Sequence, residues 1–501
     1  VVAGGIVADT PLKRAMVLGV VTMATTLYGT TVLVVSVILP QMQGSLSATQ
    51  DQIAWVMTFN ILATAIMTPM TGWLTARFGR RNVMIYCQAG FTAATLLCGM
   101  AESLETLVLY RVLQGALGAP LIPLAQATIL DTYPKEQHGQ ATSIFGMGVV
   151  IGPVLGPILG GYLADVYSWR YAFYMIVPVG IAAVIGLYFL LSDKGRQSNV
   201  KLDWTGFLAL AVAIASVQLM LDRGQRQDWF DSLEIVIEAS LGALALYVFI
   251  VHSLTTAKPF LTPSLLLNRN YALGLMTVFI YGMLNFTPMV LFPPMLQGLM
   301  GYPNSVIGEL LGARGIGALA GFFSAMFIAR VDPRIGMGIG VGIQALSGLI
   351  MMTFDHNVPF ATVAFVGALQ GMAVGLFWVP LTVASFSTLN PAYLAESSAI
   401  FHLLRNLGSS IFISLSVATV IRSRGENYSR MREYASPFNE NLDAAGMTLD
   451  TMRGVAGISG EILRQASMLG YLNAFALYTA ACLASVPLIL MFRVAKRTSP
   501  A

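Results

Sequence analysis

Charged side chains are scarce in this chain. Asp, Glu, Lys and Arg make up 10% of its 501 residues, whereas a soluble domain carries about 25%. The formal net charge is only +4, and the basic residues are scattered, which excludes an electrostatic nucleic-acid-binding surface. With 56% hydrophobic residues and a mean hydropathy of +0.72, the composition is that of a membrane protein.

The residues that build disulfides and metal sites are also rare. The three cysteines, Cys87, Cys98 and Cys482, lie in apolar runs and read as small core residues. The four histidines show no ligand spacing. No Ser/His/Asp arrangement, metal cluster or phosphate-binding loop is recognisable in the sequence. We therefore expect no enzymatic activity and no cofactor or metal.

The chain has instead a series of apolar runs, and crossing a bilayer takes about 20 such residues. Fourteen candidate spans follow one another, at residues 15–38, 52–72, 82–101, 106–129, 140–163, 170–191, 204–221, 235–254, 270–294, 306–328, 335–353, 359–384, 397–420 and 469–492. With the N-terminus inside, the short outer loops carry only Arg170, Arg223 and Arg226, while the inner loops are rich in Arg and Lys. This bias predicts that both termini are cytoplasmic. The segment 421–468 is then a long outer loop, a kind that does not follow the charge rule.

Two distant stretches echo one another at an offset of 256 or 257 residues. Leu113-Gln114-Gly115 recurs as Leu369-Gln370-Gly371, and Pro123-Leu124 recurs as Pro380-Leu381. The repeat predicts an all-α polytopic membrane protein with two six-helix halves, over residues 1–191 and 270–501. A linker with two inserted helices, over residues 192–269, joins them. In transporters with such repeats, the substrate site lies between the halves near the middle of the membrane.

The stretch from Gly148 to Gly161 is the most distinctive pattern. It places small residues and prolines about four positions apart on one predicted span: Gly148, Gly152, Pro153, Gly156, Pro157, Gly160 and Gly161. A glycine stripe lets a second helix pack closely. Proline in a membrane helix is tolerated where neighbouring helices satisfy the freed carbonyl groups. We expect this stripe to form a hinge and seal between the two halves.

With these features the chain resembles the major facilitator superfamily, specifically the fourteen-span EmrB/QacA-type drug:proton antiporters. The resemblance covers nearly the whole chain and rests on three motifs. Gly72-Trp-Leu74-Thr-Ala-Arg77-Phe-Gly79-Arg80-Arg81 looks like the loop between spans 2 and 3. Arg111-Val-Leu-Gln114-Gly115-Ala-Leu-Gly118 looks like the span-4 motif, and the stretch 148–161 is similar to the span-5 antiporter motif.

The resemblance implies the major facilitator fold in a bacterial inner membrane. It also implies a secondary transporter that exports amphipathic compounds such as drugs, in exchange for protons, by alternating access. An importing symporter or a uniporter of a small organic solute is the alternative. The partners then expected are the lipid bilayer, an amphipathic substrate and protons.

An inner gate is expected at the loop between spans 2 and 3, from the same resemblance. Its residues are Gly72, Arg77, Gly79, Arg80, Arg81 and Asp131. Asp131, at the end of span 4, is placed to pair with one of the arginines. The alternative is topogenic, in that the arginines simply hold the loop on the inner side. Relatives usually carry an acid where this chain has Ala76, so a gate built on that acid is not expected here.

Proton coupling is predicted at Arg111 and Glu309. A charge within a span costs about 2.5–3.5 kcal/mol on insertion scales, so Arg111 needs a partner or a wet cavity, unless it snorkels to the outer surface. Glu309 either stabilises the first turn of a helix capped by Ser305 or is a proton-binding carboxylate in a low-dielectric cavity. Related antiporters commonly carry an aspartate in span 1, but residues 15–38 contain no acid.

Polar and aromatic residues within the spans are candidates for the substrate cavity. They are Tyr28, Asn60, Gln114, Tyr281, Asn285, Trp378, His402 and Arg405. Interhelical hydrogen bonds and ordinary packing are the alternative for each of them. The polar outer segment 421–468 is either a solvated excursion or a docking site for a periplasmic adaptor, which the related exporters of two-membrane bacteria use.

Overall fold

The computed structural model describes residues 10–192, 201–225, 227–328, 332–436 and 451–492, and in these ranges the regular secondary structure is helical. The α-helices are α1 (Pro11–Ser45), α2 (Gln50–Met67), α3 (Met70–Phe78), α4 (Arg80–Met100), α5 (Leu104–Gly118), α6 (Leu121–Thr132), α7 (His138–Val166), α8 (Tyr171–Tyr174), α9 (Ile176–Leu190), α10 (Trp204–Arg223), α11 (Leu233–Thr255), α12 (Arg269–Met300), α13 (Asn304–Ile328), α14 (Pro333–Met351), α15 (Phe360–Phe386), α16 (Leu394–Arg432) and α17 (Met452–Leu490). Arg226, residues 193–200 of the predicted linker and residues 437–450 of the predicted outer loop lie outside the described residues.

The predicted fold with fourteen spans is confirmed. Thirteen helical segments of the described chain are long and apolar enough to cross a membrane, and the pair α2 and α3, bent by 57°, supplies a fourteenth span. The bend falls at Pro69, which has no N–H group to continue the helix. Pro120 likewise divides the fourth span into α5 and α6. Proline therefore sets the two interruptions that hydropathy alone does not reveal.

The bundle has two ends, each marked by a glycine with a left-handed backbone. Gly79 joins α3 to α4 with φ 83°, and Gly301 follows α12 with φ 68°, values that glycine adopts without steric cost. We call these the Gly79 end and the Gly301 end. Arg269 at the start of α12 donates to the carbonyl oxygen of Met491 at the end of α17. Because the number of spans is even, the first residue of α1 and the last residue of α17 both lie at the Gly79 end.

The internal repeat is visible in the helices. α5 and α15 begin at Leu104 and Phe360, and α7 and α16 begin at His138 and Leu394, so both pairs are offset by 256 residues. Equivalent helices also pack together: α1 on α7 and α12 on α16, α2 on α5 and α13 on α15, α4 on α9 and α14 on α17. We call α1–α9 the first half and α12–α17 the second half.

The glycine stripe of α7 packs against α1. A Cβ atom on Gly152 would lie 2.6 Å from the carbonyl oxygen of Thr26, and one on Gly156 would lie 2.8 Å from Cγ2 of Thr30. Thr26 Oγ1 also donates to the carbonyl oxygen of Gly148 at 3.0 Å. The same face continues with Pro153 against Gly29, Gly160 against Val34 and Gly161 against Val37, and Pro157 belongs to the same helix.

The stripe therefore lies inside the first half and not between the halves, contrary to our expectation. Thr22, Thr26, Thr30 and Val34 of α1 repeat every fourth residue, as the glycines do, which is why these two helices fit so closely. Other positions of α7 contact the second half. Gly315 of α13 faces Val154 of α7.

The inserted helices α10 and α11 pair with each other beside both halves. At the Gly301 end, Thr58 Oγ1 of the first half donates to Asp222 Oδ2 at 2.9 Å. Ser414 Oγ of the second half donates to the carbonyl oxygen of Leu221 at 3.1 Å. The C-terminal turn of α10 thus contacts both halves at once.

Asp203 anchors the other end of this insert. Its carboxylate accepts hydrogen bonds from the Gly206 N–H at 3.0 Å, His252 Nε2 at 2.8 Å and the Phe260 N–H at 3.0 Å. Burial acts to raise the pKa of Asp203, but the hydrogen bonds to the ionised form outweigh it, so the pKa lies below its ordinary value. The carboxylate thereby ties α10 to α11 and to the segment that leads to the second half.

The described parts of the predicted outer loop, residues 421–436 and 451–468, are largely helical. α16 continues to Arg432 and α17 begins at Met452, so both helices extend past the predicted spans at the Gly301 end. Tyr428 and Ser459 share a hydrogen bond of 2.8 Å between their hydroxyl oxygens, which joins the two extensions. The polar sequence is compatible with these helices because it lies beyond the apolar spans.

Candidate transport site

Arg111 lies at the centre of a polar cluster between α2, α4 and α5. Its side chain is 1% exposed. Nε donates to the carbonyl oxygen of Val56 at 3.1 Å, and Nη1 donates to Gln114 Oε1. Gln114 Nε2 in turn donates to Thr95 Oγ1 at 2.7 Å. This burial rules out snorkelling of Arg111 to the surface, and each acceptor of its guanidinium is neutral.

Asn60 and Tyr28 extend the cluster. Asn60 Nδ2 donates to the carbonyl oxygen of Arg111 at 2.7 Å, and the Tyr28 hydroxyl donates to Thr64 Oγ1 at 3.0 Å. Helix α5 approaches this closely because Gly115 has no side chain, and a Cβ atom there would meet the carbonyl oxygen of Asn60. Four residues predicted as site candidates, Arg111, Gln114, Asn60 and Tyr28, are thus brought together in the first half.

The second half contains a matching cluster around Arg314. Arg314 Nη1 donates to Gln370 Oε1 at 3.1 Å, and Nη2 donates to Asn285 Oδ1 at 2.8 Å. Gln370 Nε2 donates to Met351 Sδ at 3.3 Å. Gln114 and Gln370 each bond a residue 19 positions earlier in the chain. The repeated glutamine therefore has the same place in both halves.

The arginine comes from a different helix in each half. Position 367, which the offset of 256 residues makes equivalent to Arg111, is a glycine. In the second half the guanidinium is supplied by Arg314 on α13, whose Cβ lies 3.9 Å from the place of a Cβ on Gly367. Arg314 in turn is equivalent to Asn60, because both face the glycine that follows the repeated glutamine. Each half thus has an Arg–Gln pair. In the first half both residues lie on α5, and in the second half the arginine lies on α13 and the glutamine on α15.

A hydrogen bond between the side chains of Gln126 and His402 crosses from the first half to the second. His402 Nε2 lies 2.6 Å from Gln126 Oε1, and because that oxygen only accepts, Nε2 carries the proton. Both side chains are buried, at 3% and 2% exposure. Gln126 Nε2 and His402 Nδ1 have no hydrogen-bond partner among the described residues. This pair is a polar contact that separation of the halves must break.

Aromatic rings surround His402 on the side of the second half. The Trp378 ring centroid lies 5.6 Å from that of His402 and 5.1 Å from that of Tyr281. The Arg405 guanidinium carbon lies 5.5 Å from the Trp378 ring, in cation–π contact. The predicted cavity residues Tyr281, Trp378, His402 and Arg405 therefore form one cluster.

Electrostatic interactions link three buried arginines and two tyrosines of the two halves. Tyr28 is within electrostatic range of both Arg111 and Arg405, and Tyr281 is within electrostatic range of both Arg405 and Arg314. The order Arg111, Tyr28, Arg405, Tyr281, Arg314 passes from the first half into the second. We call these five residues the arginine row.

The residues of the predicted inner gate meet at the Gly79 end. Arg80 Nη1 lies 3.2 Å from Asp131 Oδ2, so the expected pairing of Asp131 with a gate arginine is present. Arg81 Nη2 donates to the carbonyl oxygen of Tyr188 at 2.8 Å. Arg77 lies in the last turn of α3. These contacts hold α4 to α6 and α9 within the first half.

Glu396 of the second half contacts this gate. A Cβ atom on Gly72 would lie 3.0 Å from Glu396 Cβ. Glu396 Oε1 accepts from the Thr262 N–H at 2.6 Å, and Oε2 accepts from Thr262 Oγ1 at 3.2 Å. Nearby, Lys135 Nζ donates to the carbonyl oxygen of Ser387 at 3.2 Å. The aliphatic part of the Glu396 side chain therefore packs on Gly72 of the gate, while its carboxylate is bound by Thr262 of the linker.

Glu309 is separate from these clusters. Helix α13 begins at Asn304 and has no acid in its first turn, so the expected role in stabilising a helix start is wrong. The Glu309 side chain is exposed. It precedes Arg314 by five positions, which places it about 140° around the helix from that residue. The proposed role of Glu309 in proton binding stays a prediction.

The sequence reasoning did not select several residues that matter for this geometry. Gln126, Arg314, Gln370 and Glu396 are not among the predicted site residues. The offset of 256 residues was a sufficient signal for Gln370, because it equates that residue with Gln114. Gln126 and Glu396 act on partners in the other half or the linker, which no spacing reveals. No group of His, Cys, Asp or Glu suited to a metal ion occurs in the described ranges.

Comparisons with known proteins agree with this architecture. The model of the Major Facilitator Superfamily matches residues 19–413. The Multidrug export protein EmrB of Escherichia coli is 31% identical over 436 residues, which cover 84% of each chain. The Fatty acid resistance protein FarB of Neisseria gonorrhoeae is 30% identical over 416 residues, or 82% of this chain and 81% of that protein.

Solved structures share the fold at low sequence identity. The crystal structure of the human organic anion transporter TETRAN superposes with a TM-score of 0.64 at 12% identity, over 96% of this chain and 100% of that one. The proton:xylose symporter XylE superposes with a TM-score of 0.62 at 13% identity, over 95% and 96% of the two chains. At such identities the likeness concerns the fold alone.

Proposed function

We propose that this chain, which belongs to the major facilitator superfamily and within it to the EmrB/QacA-type multidrug transporters, exports amphipathic compounds from the cytoplasm by proton antiport and alternating access. It is a transporter and not an enzyme. Direction is supported by relatives named for multidrug export and for fatty acid resistance, each 30% or more identical over most of the chain. These names favour export over the alternative of an importer or uniporter.

The position of the polar contacts between the two halves supports the proposal of alternating access. The polar contacts between them, Gln126 with His402 and Lys135 with Ser387, lie toward the Gly79 end. Glu396 packs on Gly72 at the same end. With the Gly79 end in the cytoplasm, as the charge bias predicts, these contacts describe a state closed toward the cytoplasm. Export then requires a second state in which they are broken.

We assign proton coupling to Glu309 and Arg111. Helix α1 carries no acid from Pro11 to Ser45, so the carboxylate that related antiporters carry there is absent. Glu309 is an acid within α13, near the Gly301 end of that helix, and its side chain is exposed. Arg111 joins α2 to α5 through buried hydrogen bonds. Each proton that enters down a potential of 100 mV supplies about 2.3 kcal/mol for export.

Proton coupling is tested in proteoliposomes with an imposed pH gradient. The efflux of a fluorescent amphipathic compound and the lumenal pH are followed together. We expect proton entry with substrate exit, and loss of both in Glu309→Gln. Glu426→Gln, at an exposed position of the outer helical extension, is the matched control. Substrate movement without proton movement would contradict antiport, and normal coupling in Glu309→Gln would remove Glu309 from the mechanism.

We further propose that the chain lies in the inner membrane with both termini cytoplasmic, and that the extensions of α16 and α17 dock a periplasmic adaptor. Val455 and Leu463, which are 43% and 45% exposed, give this region apolar contact surface. Recovery of a periplasmic adaptor in a pull-down of periplasmic proteins should be lost in Leu463→Glu and kept in Glu426→Gln. Equal recovery with both variants would contradict docking at this surface.

A further inference from the structure

We propose that His402 binds a proton during the transport cycle, and that its protonation opens the Gly79 end. The side chain of His402 is buried where the two halves meet and contacts the first half through Gln126. The inference rests on the proposed proton antiport and adds a second protonation site to Glu309. It is tested without substrate and without a pH gradient, so its failure and the failure of antiport are separate results.

The closed state holds the imidazole of His402 in its neutral form. Nε2 lies 2.6 Å from Gln126 Oε1, and because this oxygen only accepts, Nε2 carries the proton and Nδ1 keeps its lone pair. Nδ1 is buried and has no hydrogen-bond partner among the described residues. A second proton, on Nδ1, would create a buried N–H donor without an acceptor, which is unfavourable. The closed state therefore disfavours protonation of this ring.

The charge around His402 acts in the same direction. Arg405 of the arginine row follows three positions later on the same helix, and among the described residues it is the charged group that acts on His402. Neither residue has an ion pair with an Asp or Glu of the described ranges. An imidazolium at this place would therefore lie near a second cation with no carboxylate to compensate it.

The neighbouring helices do not supply a counter-charge. The side chains of other helices around His402 and Arg405 are neutral at physiological pH: Gln126 of α6, Trp378 of α15, Tyr281 of α12 and Tyr28 of α1. A proton on His402 is thus stabilised only when water reaches the ring.

Opening of the Gly79 end meets this condition. When Gln126 and His402 separate, water can accept a hydrogen bond from Nδ1 and solvate the charge. A solvated imidazole takes up a proton near about pH 6.5. The proton comes from water and adds to the lone pair of Nδ1, and in the protein only the hydrogen bond to Gln126 is broken. Because the open state binds the proton more strongly than the closed state, a lower pH shifts the population toward the open state.

The sign of this effect agrees with exchange of protons for substrate. Protonation of His402 opens the transporter toward the cytoplasm, where the substrate is taken up. Release of the proton there allows Gln126 and His402 to make their contact again, so the return step carries substrate and not the proton. Helix α1 has no acid from Pro11 to Ser45, and His402 supplies a titratable group in the interior that α1 lacks.

The test measures opening of the Gly79 end as a function of pH in the full-length protein in nanodiscs. Spin labels at Glu136 and Tyr393, which are exposed residues of the two halves, report the separation by double electron–electron resonance. We expect the ratio of open to closed molecules to rise by up to about 10-fold between about pH 7.5 and pH 5.5, the largest change that one such histidine produces. His402→Gln keeps an N–H donor for Gln126 and cannot be protonated, so its ratio should be the same at both pH values.

Two further variants make the result specific. His138→Gln removes a histidine of the same end whose Nε2 donates to the carbonyl oxygen of Tyr133 within the first half at 3.0 Å, and it should keep the response of the wild type. Glu396→Gln removes the carboxylate that binds Thr262 at this end, and it should also keep the response.

The proposal is overturned if the wild-type distances are the same at both pH values, or if His402→Gln responds to pH as the wild type does. If His402→Gln does not fold, His402→Asn replaces it. If neither variant of His402 folds, a response that is kept in both His138→Gln and Glu396→Gln supports the assignment, and a response that is lost in either variant overturns it.

Discussion

Replacing Gly152 by alanine puts a methyl carbon 2.6 Å from the carbonyl oxygen of Thr26 and 2.5 Å from Thr30 Oγ1. Both distances are far below van der Waals contact. The Thr26 oxygen belongs to the backbone of α1 and cannot rotate away, so α1 and α7 must move apart. Overpacking of this kind costs about 1–3 kcal/mol. We expect Gly152→Ala to lower the Tm of the purified protein by several degrees.

The chain offers a graded set of comparisons. A Cβ atom on Gly19 of α1 meets nothing within 4 Å, so Gly19→Ala should stabilise slightly, by about 0.5–1 kcal/mol. Gly156→Ala meets Thr30 Cγ2 at 2.8 Å, a methyl group that Thr30→Ser removes. The double variant Gly156→Ala with Thr30→Ser should recover part of the lost stability. Thr30→Ser should not rescue Gly152→Ala to the same degree, because the Thr26 oxygen remains.

Thermal unfolding followed by fluorescence-detected size exclusion in one detergent measures all of these variants. The reasoning is refuted if Gly152→Ala unfolds at the same temperature as Gly19→Ala. If the glycine stripe instead acted between the halves, Gly152→Ala would change transport while the stability of the first half stayed the same. Gly315→Ala, which meets Val154 across the two halves, serves as that comparison.

Two other predictions concern single polar contacts. Gln126→Leu should favour opening at the Gly79 end by up to about 10-fold, the value of a hydrogen bond. Electron–electron distances between spin labels at Glu136 and Tyr393 should lengthen, and Gln88→Leu, whose amide bonds Thr92 in the same helix, should not change them. Asp203→Asn should cost about 1–3 kcal/mol at pH 7. Because the folded pKa is depressed, this stabilisation exists above the unfolded pKa and is lost as the pH falls through the folded value, below about 4. The Tm difference between Asp203→Asn and wild type should therefore shrink at low pH, and a constant difference would contradict it.

Hydropathy and charge bias were sufficient to predict the fourteen spans, because lipid requires each crossing segment to be apolar and helical. They could not give the helix lengths. α16 continues beyond residue 420 to Arg432, and α17 begins at Met452, before residue 469. These extensions are polar helices outside the lipid, and hydropathy does not distinguish a polar helix from a loop. The bend at Pro69 was hidden for the opposite reason, since a kink leaves the apolar character of a span unchanged.

The sequence was sufficient to predict many of the residues that belong to the candidate site, but only some of the contacts between them. Arg111 and Gln114 are three positions apart on one helix, so their contact follows from helical spacing. The pairing of Gln126 with His402 joins residues 276 positions apart, and it depends on how two helices from different halves meet. The glycine stripe shows the same limit. Its spacing predicted a close partner helix, but only the threonines and Val34 on α1 identify that partner.

Gly367 also has a consequence for the history of the molecule. A protein made by joining two copies of the first half would carry arginine at position 367, and Asn60 would be repeated where Arg314 now lies. A side chain as large as arginine at position 367 would compete with Arg314 for space, because Arg314 Cβ lies 3.9 Å from the place of a Cβ on Gly367. After that exchange the charge of the second half belonged to α13, while in the first half Arg111 stayed on the same helix as its glutamine. The two halves are therefore no longer interchangeable, although they still fold alike.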